Sequence, residues 1–406
     1  MDTPNFPLYN PWKLSSFRVE DLPETSLKPR FVFPGLKQAF YESNLMVFIK
    51  GLRRLGKSTL IRQIIIDLLG RSTNPAQINY VQFSQSFSDL AGVLRQTPPK
   101  SFLFLDEIQN CRRWRDTLKQ YYDANTSVKI CFSGSAVLNI TREKESLAGR
   151  FLPIVVDPLT FSEYLYLKHT APQSPSPEDF ADYLQFGEFP ETLKLASPQV
   201  KSVYIKDSII DPVLTIDIPH YGLEKKQEFA GFLKVLAANT AQLLNKSNLA
   251  AETGLSRPSI NRFLSILNDM GLIRLLPNYL PSVRSQILSD KKVLFTSTNI
   301  TLSLLNVSQP FSLPSVKGQI LETYSGNQLR HRFSQMWYWR KQQKELDFIG
   351  TNNDRLSAFE IKSSDKVNPA EINMYRRYAS KLNASFELIY SGKTDQSQSL
   401  KNLTEI

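Results

Sequence analysis

Cysteine and histidine are scarce in this sequence of 406 residues. There are two cysteines and three histidines: Cys111, Cys131, His169, His220 and His331. Two cysteines are too few for a disulfide framework or a four-cysteine zinc site, and the histidines show no metal-ligand spacing. These absences argue against zinc hydrolysis and histidine-based triads. They favour a reducing, intracellular setting, and we expect a cytoplasmic protein.

Long apolar runs are also absent. No run reaches the roughly 18 residues that a membrane helix needs, and the N-terminal MDTPNFPLYNPWKL lacks a basic region followed by an apolar run. We therefore expect neither a membrane partner nor a signal peptide. Acidic residues are fewer than basic residues, and the resulting formal net charge of +11 favours nucleic acid as a partner. A protein partner is the alternative.

Strand-like and helix-like segments alternate after an irregular, proline-containing lead-in over residues 1–43. The strand candidates are 44–50, 78–83, 101–107 and 128–135, and the helix candidates are 57–70 and 112–123. This alternation predicts an α/β fold with a parallel sheet covered by helices. The Pro- and Ser-rich segment 168–180 predicts a loop or linker.

The stretch GLRRLGKSTL fits the pattern GxxxxGK[ST] through Gly51, Gly56, Lys57 and Ser58. Backbone N–H groups of such a loop cradle phosphate oxygens, and the helix that follows presents its N-terminus to the anion. We expect Lys57 to contact the β- and γ-phosphates of ATP and Ser58 to bind Mg²⁺. A glycine-bracketed turn is the alternative, but the strand before the motif and the helix after it favour a nucleotide site. The predicted nucleotide-binding residues of the loop are Gly51, Leu52, Arg53, Arg54, Leu55, Gly56, Lys57, Ser58 and Thr59.

The segment FLFLDE supplies the second half of the predicted site. Asp106 ends a buried strand and is a candidate Mg²⁺ ligand, while Glu107 is placed to polarise the attacking water. Ser133, at the end of the next strand, is a candidate sensor of the γ-phosphate, and Arg150 is a candidate arginine finger for a neighbouring subunit in a homo-oligomer. The alternatives are a pair of strand-capping acids, an ordinary strand-ending serine and a salt-bridged arginine.

Several segments together resemble a known family. GLRRLGKSTL, FLFLDEIQNCRRW, SGSAVLNI, LAGRFLPIVVDPLTFSEYL and GEFPETL occur in the order found in prokaryotic AAA-type ATPases with a G-x-R-R-x-G-K-[ST] loop and a D-E-I-Q segment. The resemblance runs from about residue 44 to 365. It implies an AAA-type fold and a C-terminal domain of unknown function. The sequence departs from the family at Thr296 and Ser297, where an acidic residue is usual.

The segment 246–276 has the rhythm of a helix-turn-helix followed by a strand, and it looks like a winged helix. Ser256 is a candidate N-cap, Pro258 is tolerated in the first turn, and Leu264, Ile266 and Leu267 are expected to face a core. If the segment reads DNA, its contacts are Arg257, Ser259, Asn261 and Arg262. A packing module without DNA contacts is the alternative.

The C-terminal stretch KELDFIGTNNDRLSAFEIKSS predicts two strands joined by a turn. Strand alternation places Glu360 and Lys362 on one face, and the hairpin can bring Asp347 beside them. Two carboxylates and a lysine can hold Mg²⁺ and activate water, with Asp347 and Glu360 as metal ligands and Glu322 as a third acid from a helix. The spacing D-x12-E-x-K resembles the PD-(D/E)xK restriction-endonuclease-like superfamily. A solvated ion-pair cluster is the alternative, and the aromatics of QMWYWRK are expected to pack a core.

The predicted organisation has four parts. They are an AAA-type P-loop ATPase domain (1–167), a linker and helical segment (168–230), a winged helix (231–290) and an α/β restriction-endonuclease-like domain (291–406). The predicted function is Mg²⁺-dependent ATP hydrolysis that regulates a nuclease-like domain acting on DNA more than on RNA. The alternative is a nucleotide-dependent switch, or a regulator that binds DNA or protein, with a non-cleaving nuclease-like fold.

Overall fold

The computed structural model describes residues 10–124, 127–135, 147–171, 174–222, 226–309, 314–364, 367–390 and 400–405. The chain divides into two compact units, Met1–Asp157 and Pro158–Ile406. The sequence places the first boundary at residue 167. The helix at Phe161–Lys168 belongs to the second unit because Phe161 and Tyr164 pack in the hydrophobic core of that unit.

Five parallel strands form the sheet of the N-terminal unit in the order β2-β3-β4-β1-β5. They are β1 (Met46–Gly51), β2 (Ile78–Gln82), β3 (Phe102–Asp106), β4 (Lys129–Ser135) and β5 (Phe151–Val155). The predicted parallel sheet is confirmed. The strand β5 was not predicted, because it lies at an edge of the sheet and its residues are only partly buried.

In the described part of the N-terminal unit, four α-helices connect or flank these strands. They are α1 (Phe33–Glu42), α2 (Lys57–Gly70), α3 (Leu90–Gln96) and α4 (Trp114–Ala124). The prediction of an irregular lead-in over 1–43 is wrong for α1. Leu36 and Phe40 lie four residues apart on one helical face and are buried, and Phe40 stacks on Phe104 of β3. Burial of this face stabilises the helix.

The second unit begins with helices. They are α5 (Phe161–Lys168), α6 (Pro177–Phe186), α7 (Pro198–Ile205), α8 (Lys226–Ala238), α9 (Lys246–Thr253) and α10 (Arg257–Asp269). Two π-helical turns, Lys206–Ile210 and Val213–Asp217, follow α7. Ser256 caps α10 as expected, since its hydroxyl accepts a hydrogen bond from the N–H of Ser259.

A two-stranded antiparallel ribbon follows α10. It consists of β6 (Ile273–Pro277) and β7 (Lys291–Phe295), with α11 (Val283–Leu288) between the strands. The helices α9 and α10 meet at Gly254, which has a φ of 69°. Leu264, Ile266 and Leu267 are buried as expected. Two helices and a two-stranded ribbon thus follow one another here, and the winged helix stays a prediction.

The last part of the chain forms a five-stranded sheet in the order β12-β11-β10-β9-β8. Its elements, with the helices that precede and cover it, are α12 (Thr298–Leu304), α13 (Pro314–Leu329), β8 (Gln335–Lys341), β9 (Lys344–Asn352), β10 (Arg355–Lys362), α14 (Pro369–Ser380), β11 (Ala384–Tyr390) and β12 (Leu400–Asn402). The predicted hairpin is present, with Asn353 and Asp354 at positive φ in its turn.

The two faces of this sheet carry separate cores. Tyr338 packs in a core with α13, and Trp337 and Trp339 pack on the opposite face with Ala379 of α14. The core role predicted for these aromatics is therefore confirmed. Among the described residues, no helix has the length and apolar character that a membrane crossing requires.

Candidate nucleotide site and acid cluster

The loop between β1 and α2 wraps around the side chain of its own lysine. The Nζ atom of Lys57 donates hydrogen bonds to the carbonyl oxygens of Gly51 at 3.1 Å and Leu52 at 2.9 Å. Gly56 has a φ of 88° immediately before the helix, which favours glycine. Gly51 is constrained on its side-chain face, because an added Cβ would overlap the carbonyl oxygen of Val156. Both glycines of the motif are therefore required by the backbone.

Arg30 supports the loop from outside the motif. Its buried guanidinium donates to the carbonyl oxygens of Leu55 at 2.8 Å and Asp157 at 2.9 Å. Sequence reasoning missed this residue, because it lies in the lead-in and no local pattern marks it. The two hydrogen bonds fix the position of the loop against the end of β5.

Asp106 ends β3, two strands away from the loop, and is fully buried. The strand β4 lies between β3 and β1, so its residue Ser133 stands between Asp106 and the loop. The Ser133 hydroxyl donates to Asp106 Oδ1, and the Tyr80 hydroxyl donates to Asp106 Oδ2 at 2.8 Å. The strand ends thus place the predicted magnesium ligand and the predicted phosphate sensor at one edge of the sheet, beside the loop.

Glu107 follows Asp106 with a φ of 55°, an uncommon conformation for a residue that is not glycine. Its backbone N–H donates to Asp106 Oδ1 at 3.1 Å, and its carboxylate accepts a hydrogen bond from Gln109. Gln109 belongs to the D-E-I-Q segment, although it was not predicted as a site residue. Its amide orients the carboxylate that was predicted to polarise water.

Arg150 forms a bidentate ion pair with Asp123. The distances are 2.7 Å from Nε to Oδ1 and 3.0 Å from Nη2 to Oδ2. This geometry matches the salt-bridge alternative, and the finger role stays a prediction. The rest of the SGSAVLNI segment after residue 135 lies outside the described residues.

The loop and the acids fit Mg-ATP. Lys57 at the start of α2 carries the charge that polyphosphate needs, and the Asp106 carboxylate is an oxygen ligand of the kind that Mg²⁺ prefers. The predicted ligand Ser58 is the second residue of the same helix. These residues would hold the nucleotide and its metal at the carboxyl edge of the sheet.

A second group of charged side chains lies in the C-terminal unit, and we call it the acid cluster. Its members are Glu322, Glu345, Asp347 and Glu360 together with Lys292 and Lys362. The predicted convergence of Glu322, Asp347, Glu360 and Lys362 is present: Lys362 Nζ lies 2.9 Å from Glu360 Oε1, and Asp347 Oδ2 accepts a hydrogen bond from the N–H of Ile361 at 2.8 Å.

Lys292 of β7 lies inside the acid cluster. Its Nζ atom is 2.7 Å from Glu322 Oε1, 3.1 Å from Glu345 Oε1 and 3.4 Å from Asp347 Oδ1, and only 2% of its side chain is exposed. Burial alone would lower the pKa of Lys292, but the carboxylates of Glu322, Asp347 and Glu345 outweigh burial and raise it. Lys292 is therefore an ammonium. Sequence reasoning missed it, since it lies 30 residues before the first of the acids.

The carboxyl groups of the acid cluster are poorly solvated and close together. Burial, followed by the charge of Asp347, raises the pKa of Glu322 to about 8 and that of Glu360 to about 8. Lys362 has a raised pKa, because its contact with Glu360 outweighs its own burial. Two ammonium groups face four carboxylates, so a retained proton lowers the remaining negative charge.

The metal predicted at Asp347 and Glu360 does not fit beside Lys292 in this arrangement. Within the described ranges, no group of three or more histidine, cysteine, aspartate or glutamate side chains is arranged to hold a metal ion as the cluster stands, with Lys292 in place. A divalent cation needs the same carboxylate oxygens that the Lys292 ammonium contacts. Metal-dependent cleavage therefore stays a prediction.

A groove of about 1140 Å³ borders the predicted recognition helix α10. We call it the basic groove, since Lys246, Arg257, Lys291 and Arg340 line it and Asp290 is the one acidic residue among its lining residues in the described structure.

Two of the predicted DNA contacts, Arg257 and Asn261, line the groove. Arg257 donates a hydrogen bond to the Ser247 hydroxyl at 2.9 Å. The predicted contact Arg262 instead donates to the carbonyl oxygens of Tyr221 and Gly222. Ser259 hydrogen-bonds Ser256 at the start of α10.

Ser297, one of the two residues at which the sequence departs from the family, caps the start of α12. The Ser297 hydroxyl accepts a hydrogen bond from the N–H of Ile300 and donates to the buried carboxylate of Glu188. A carboxylate is thus supplied at this helix start by Glu188 of the GEFPETL segment. Thr296 donates to the carbonyl oxygen of Gly271 at 2.7 Å.

Residues 43–165 match a family of AAA domains. This part of the chain is similar to AAA domains and contains the parallel five-stranded sheet and the GxxxxGK[ST] loop expected of a P-loop ATPase. Residues 177–310 and 317–406 match two further families, each described as a domain of unknown function. Neither of these two matches assigns an activity to the second unit, so the nuclease-like and winged-helix folds stay predictions.

Two relatives are uncharacterized proteins. One, from Haemophilus influenzae, is 25% identical over 250 residues, which are 57% of this chain and 62% of the relative. The other, from Methanocaldococcus jannaschii, is 36% identical over 157 residues, which are 34% of this chain and 33% of the relative. The chain thus spans less than two thirds of either relative.

Solved structures with detectable similarity include a Walker-type ATPase of Pyrococcus abyssi. It has a TM-score of 0.43 and 14% identity, covering 70% of this chain and 97% of its own. The Aeropyrum pernix ORC1 protein in complex with DNA has a TM-score of 0.32 and 13% identity, covering 73% and 95%. Similarity at this level identifies neither a substrate nor a partner for this chain.

Proposed function

We propose that this protein is an Mg²⁺-dependent ATPase whose second unit binds nucleic acid, so that ATP turnover acts as a switch on that binding. The observation that carries the ATPase proposal is the arrangement at the carboxyl edge of the first sheet. Lys57 begins α2, Ser133 lies on β4 and Asp106 ends β3, and the Ser133 hydroxyl donates a hydrogen bond to Asp106.

Each residue has a defined task in this proposal. The loop residues 51–59 hold the phosphates, and Lys57 neutralises their charge. Ser58 and Asp106 hold Mg²⁺, which stabilises the charge that develops on the transferred phosphoryl group. Glu107, oriented by Gln109, accepts a proton from the attacking water. Tyr80 and Ser133 keep the Asp106 carboxylate in one orientation.

Phosphate release and nucleotide binding test the ATPase proposal. We expect Lys57→Ala to lose ATP binding. Glu107→Gln should retain binding of a fluorescent ATP analogue while its turnover falls by about 100-fold or more, because only the water-activating group is changed. Turnover by Glu107→Gln at the wild-type rate would reject the assigned role. Absence of turnover in a wild type that binds ATP would reject hydrolysis.

Metal-dependent cleavage of nucleic acid is the second candidate function for the C-terminal unit. It is favoured by the convergence of Glu322, Asp347 and Glu360, and disfavoured by Lys292 in their midst. Labelled single- and double-stranded DNA and RNA, incubated with Mg²⁺ or Mn²⁺ and with or without ATP, separate the two candidates. Cleavage that disappears in Glu360→Ala would establish the nuclease. Intact substrate in every condition supports a non-cleaving binding unit.

A further inference from the structure

The Lys292 side chain reaches the acid cluster from a strand of another sheet. The strand β7 pairs with β6, whereas Asp347 and Glu360 lie on β9 and β10 of the five-stranded sheet. The lysine therefore joins two structural layers through its ammonium group. Its carboxylate partners come from α13 and β9, so three elements meet at one buried cation.

The contacts of Lys292 are those of a bound cation. Three carboxylate oxygens from three residues lie within 3.4 Å of one nitrogen atom. A fourth carboxylate is incompletely paired: Glu360 is 6% exposed, and its Oε2 atom accepts no hydrogen bond from the part of the chain that the structure describes. Buried carboxylates demand a counter-charge, and Lys292 supplies it to three of the four acids, while Lys362 pairs with Glu360.

We propose that Lys292 is the built-in cation of the acid cluster and that it excludes divalent metal ions, so that removal of its ammonium creates a divalent-cation site at Glu322, Asp347 and Glu360. The reason is competition for the same ligands. A hard divalent cation needs several carboxylate oxygens at once, and the ammonium already contacts those of Glu322 and Asp347. Electrostatic repulsion between the two cations adds to the exclusion. The inference concerns a different site from ATP hydrolysis and nucleic-acid binding, and it stands or fails independently of both.

Mn²⁺ titration of the full chain tests the inference, with free Mn²⁺ measured by electron paramagnetic resonance. The parent protein carries Asp106→Asn and is kept free of nucleotide, so that the ATP site contributes no metal binding. Lys292→Met removes the ammonium and keeps the unbranched chain, and Lys292→Arg is the matched control that keeps a cation. We expect Lys292→Met to bind one equivalent of Mn²⁺ at least about tenfold more tightly than the parent or Lys292→Arg. Addition of Asp347→Asn should abolish that binding.

Two results would overturn the inference. If the parent itself binds one equivalent of Mn²⁺ that is lost on Asp347→Asn, then lysine and metal share the cluster. If Lys292→Met binds no Mn²⁺, then the acids do not form a cation site. Thermal unfolding with and without Mn²⁺ is a second test, which still applies if Lys292→Met is less stable than the parent. Mn²⁺ should raise the melting temperature of Lys292→Met and leave that of the parent unchanged. A Lys292→Met protein that Mn²⁺ does not stabilise counts against the inference.

Discussion

The buried carboxylate of Glu188 accepts a hydrogen bond from the backbone N–H of Asn299 at 3.0 Å. It also accepts hydrogen bonds from the N–H of Thr298 at 3.1 Å and from the hydroxyl groups of Thr298 and Ser297. These bonds connect the GEFPETL segment to the start of α12, 109 residues or more along the chain. Burial nevertheless raises the pKa of Glu188 to about 7, because the donors only partly replace water.

Glu188 should make the stability of the second unit depend on pH. Its pKa rises from an ordinary value of 4.5 to about 7 in the folded chain. Between those values the folded state binds the proton more tightly, so the free energy of unfolding falls as pH rises and stops falling above about 7. The difference amounts to about 3 kcal/mol. Glu188→Gln cannot ionise, so the stability advantage of the wild type over this variant should shrink between pH 5 and 8.

Urea unfolding at four pH values measures this effect, and Glu191→Gln is the control. Glu191 belongs to the same segment but is exposed and paired with Lys194 on the surface, so its replacement should leave the pH profile of the wild type in place. Parallel profiles for the wild type and Glu188→Gln would show that the carboxyl group titrates at its ordinary pKa in the fold.

Gly51→Ala should damage the nucleotide loop itself. An added methyl group would overlap the carbonyl oxygen of Val156, and the N–H of Val156 already donates to Lys50 O at 2.7 Å. Backbone atoms cannot yield as a flexible side chain can, so we expect a loss of about 1–3 kcal/mol in stability together with loss of ATP binding. Thermal unfolding and nucleotide titration measure the two effects.

Gly70→Ala is the matched control for Gly51→Ala. Gly70 is the last residue of α2, and an added Cβ meets nothing within 4 Å. The same chemical change should therefore be neutral or stabilise the protein by up to about 1 kcal/mol, since alanine favours a helix. Equal effects of the two substitutions would mean that the contact with Val156 does not constrain the loop.

The sequence predicted those parts of the two sites whose residues lie close to one another along the chain. The P-loop residues, the strand ending at Asp106 and the hairpin that joins Asp347 to Glu360 all have their signal within about 20 residues, in motif spacing and alternation. Arg30 and Lys292 have no such signal. Each contacts its site through tertiary packing from a distant segment, and a single sequence carries no information about that pairing.

Arg150 allows a test of subunit cooperation. Its guanidinium is committed to Asp123 through two hydrogen bonds, so we expect Arg150→Ala to retain ATP turnover at every protein concentration. An arginine finger would behave differently, because turnover would rise with concentration in the wild type and the rise would vanish in the variant. Asp123→Ala is the control, since it frees the arginine while keeping it available to a neighbouring subunit.

The basic groove should supply the electrostatic part of nucleic-acid binding. Lys246 and Arg257 are exposed at the wall of the groove. The ammonium of Lys291, in contrast, already donates hydrogen bonds to the carbonyl oxygens of Gln286 and Ile287. We expect Lys246→Ala and Arg257→Ala each to weaken binding of a labelled DNA duplex. Each should also reduce the slope of log affinity against log salt concentration by about 1, as the loss of one phosphate contact requires.

Fluorescence anisotropy at several KCl concentrations measures both quantities, with single-stranded DNA and RNA as parallel ligands. Lys234→Ala is the matched control, since Lys234 is exposed on α8 and does not line the groove. It removes one positive charge from the same unit and so reports on net charge alone.

An equal loss of slope in all three variants would mean that binding follows total charge, and the groove would then have no special role. A loss confined to Lys246→Ala and Arg257→Ala would place the phosphate backbone along α10. Comparison with and without ATP would then show whether nucleotide turnover controls that contact.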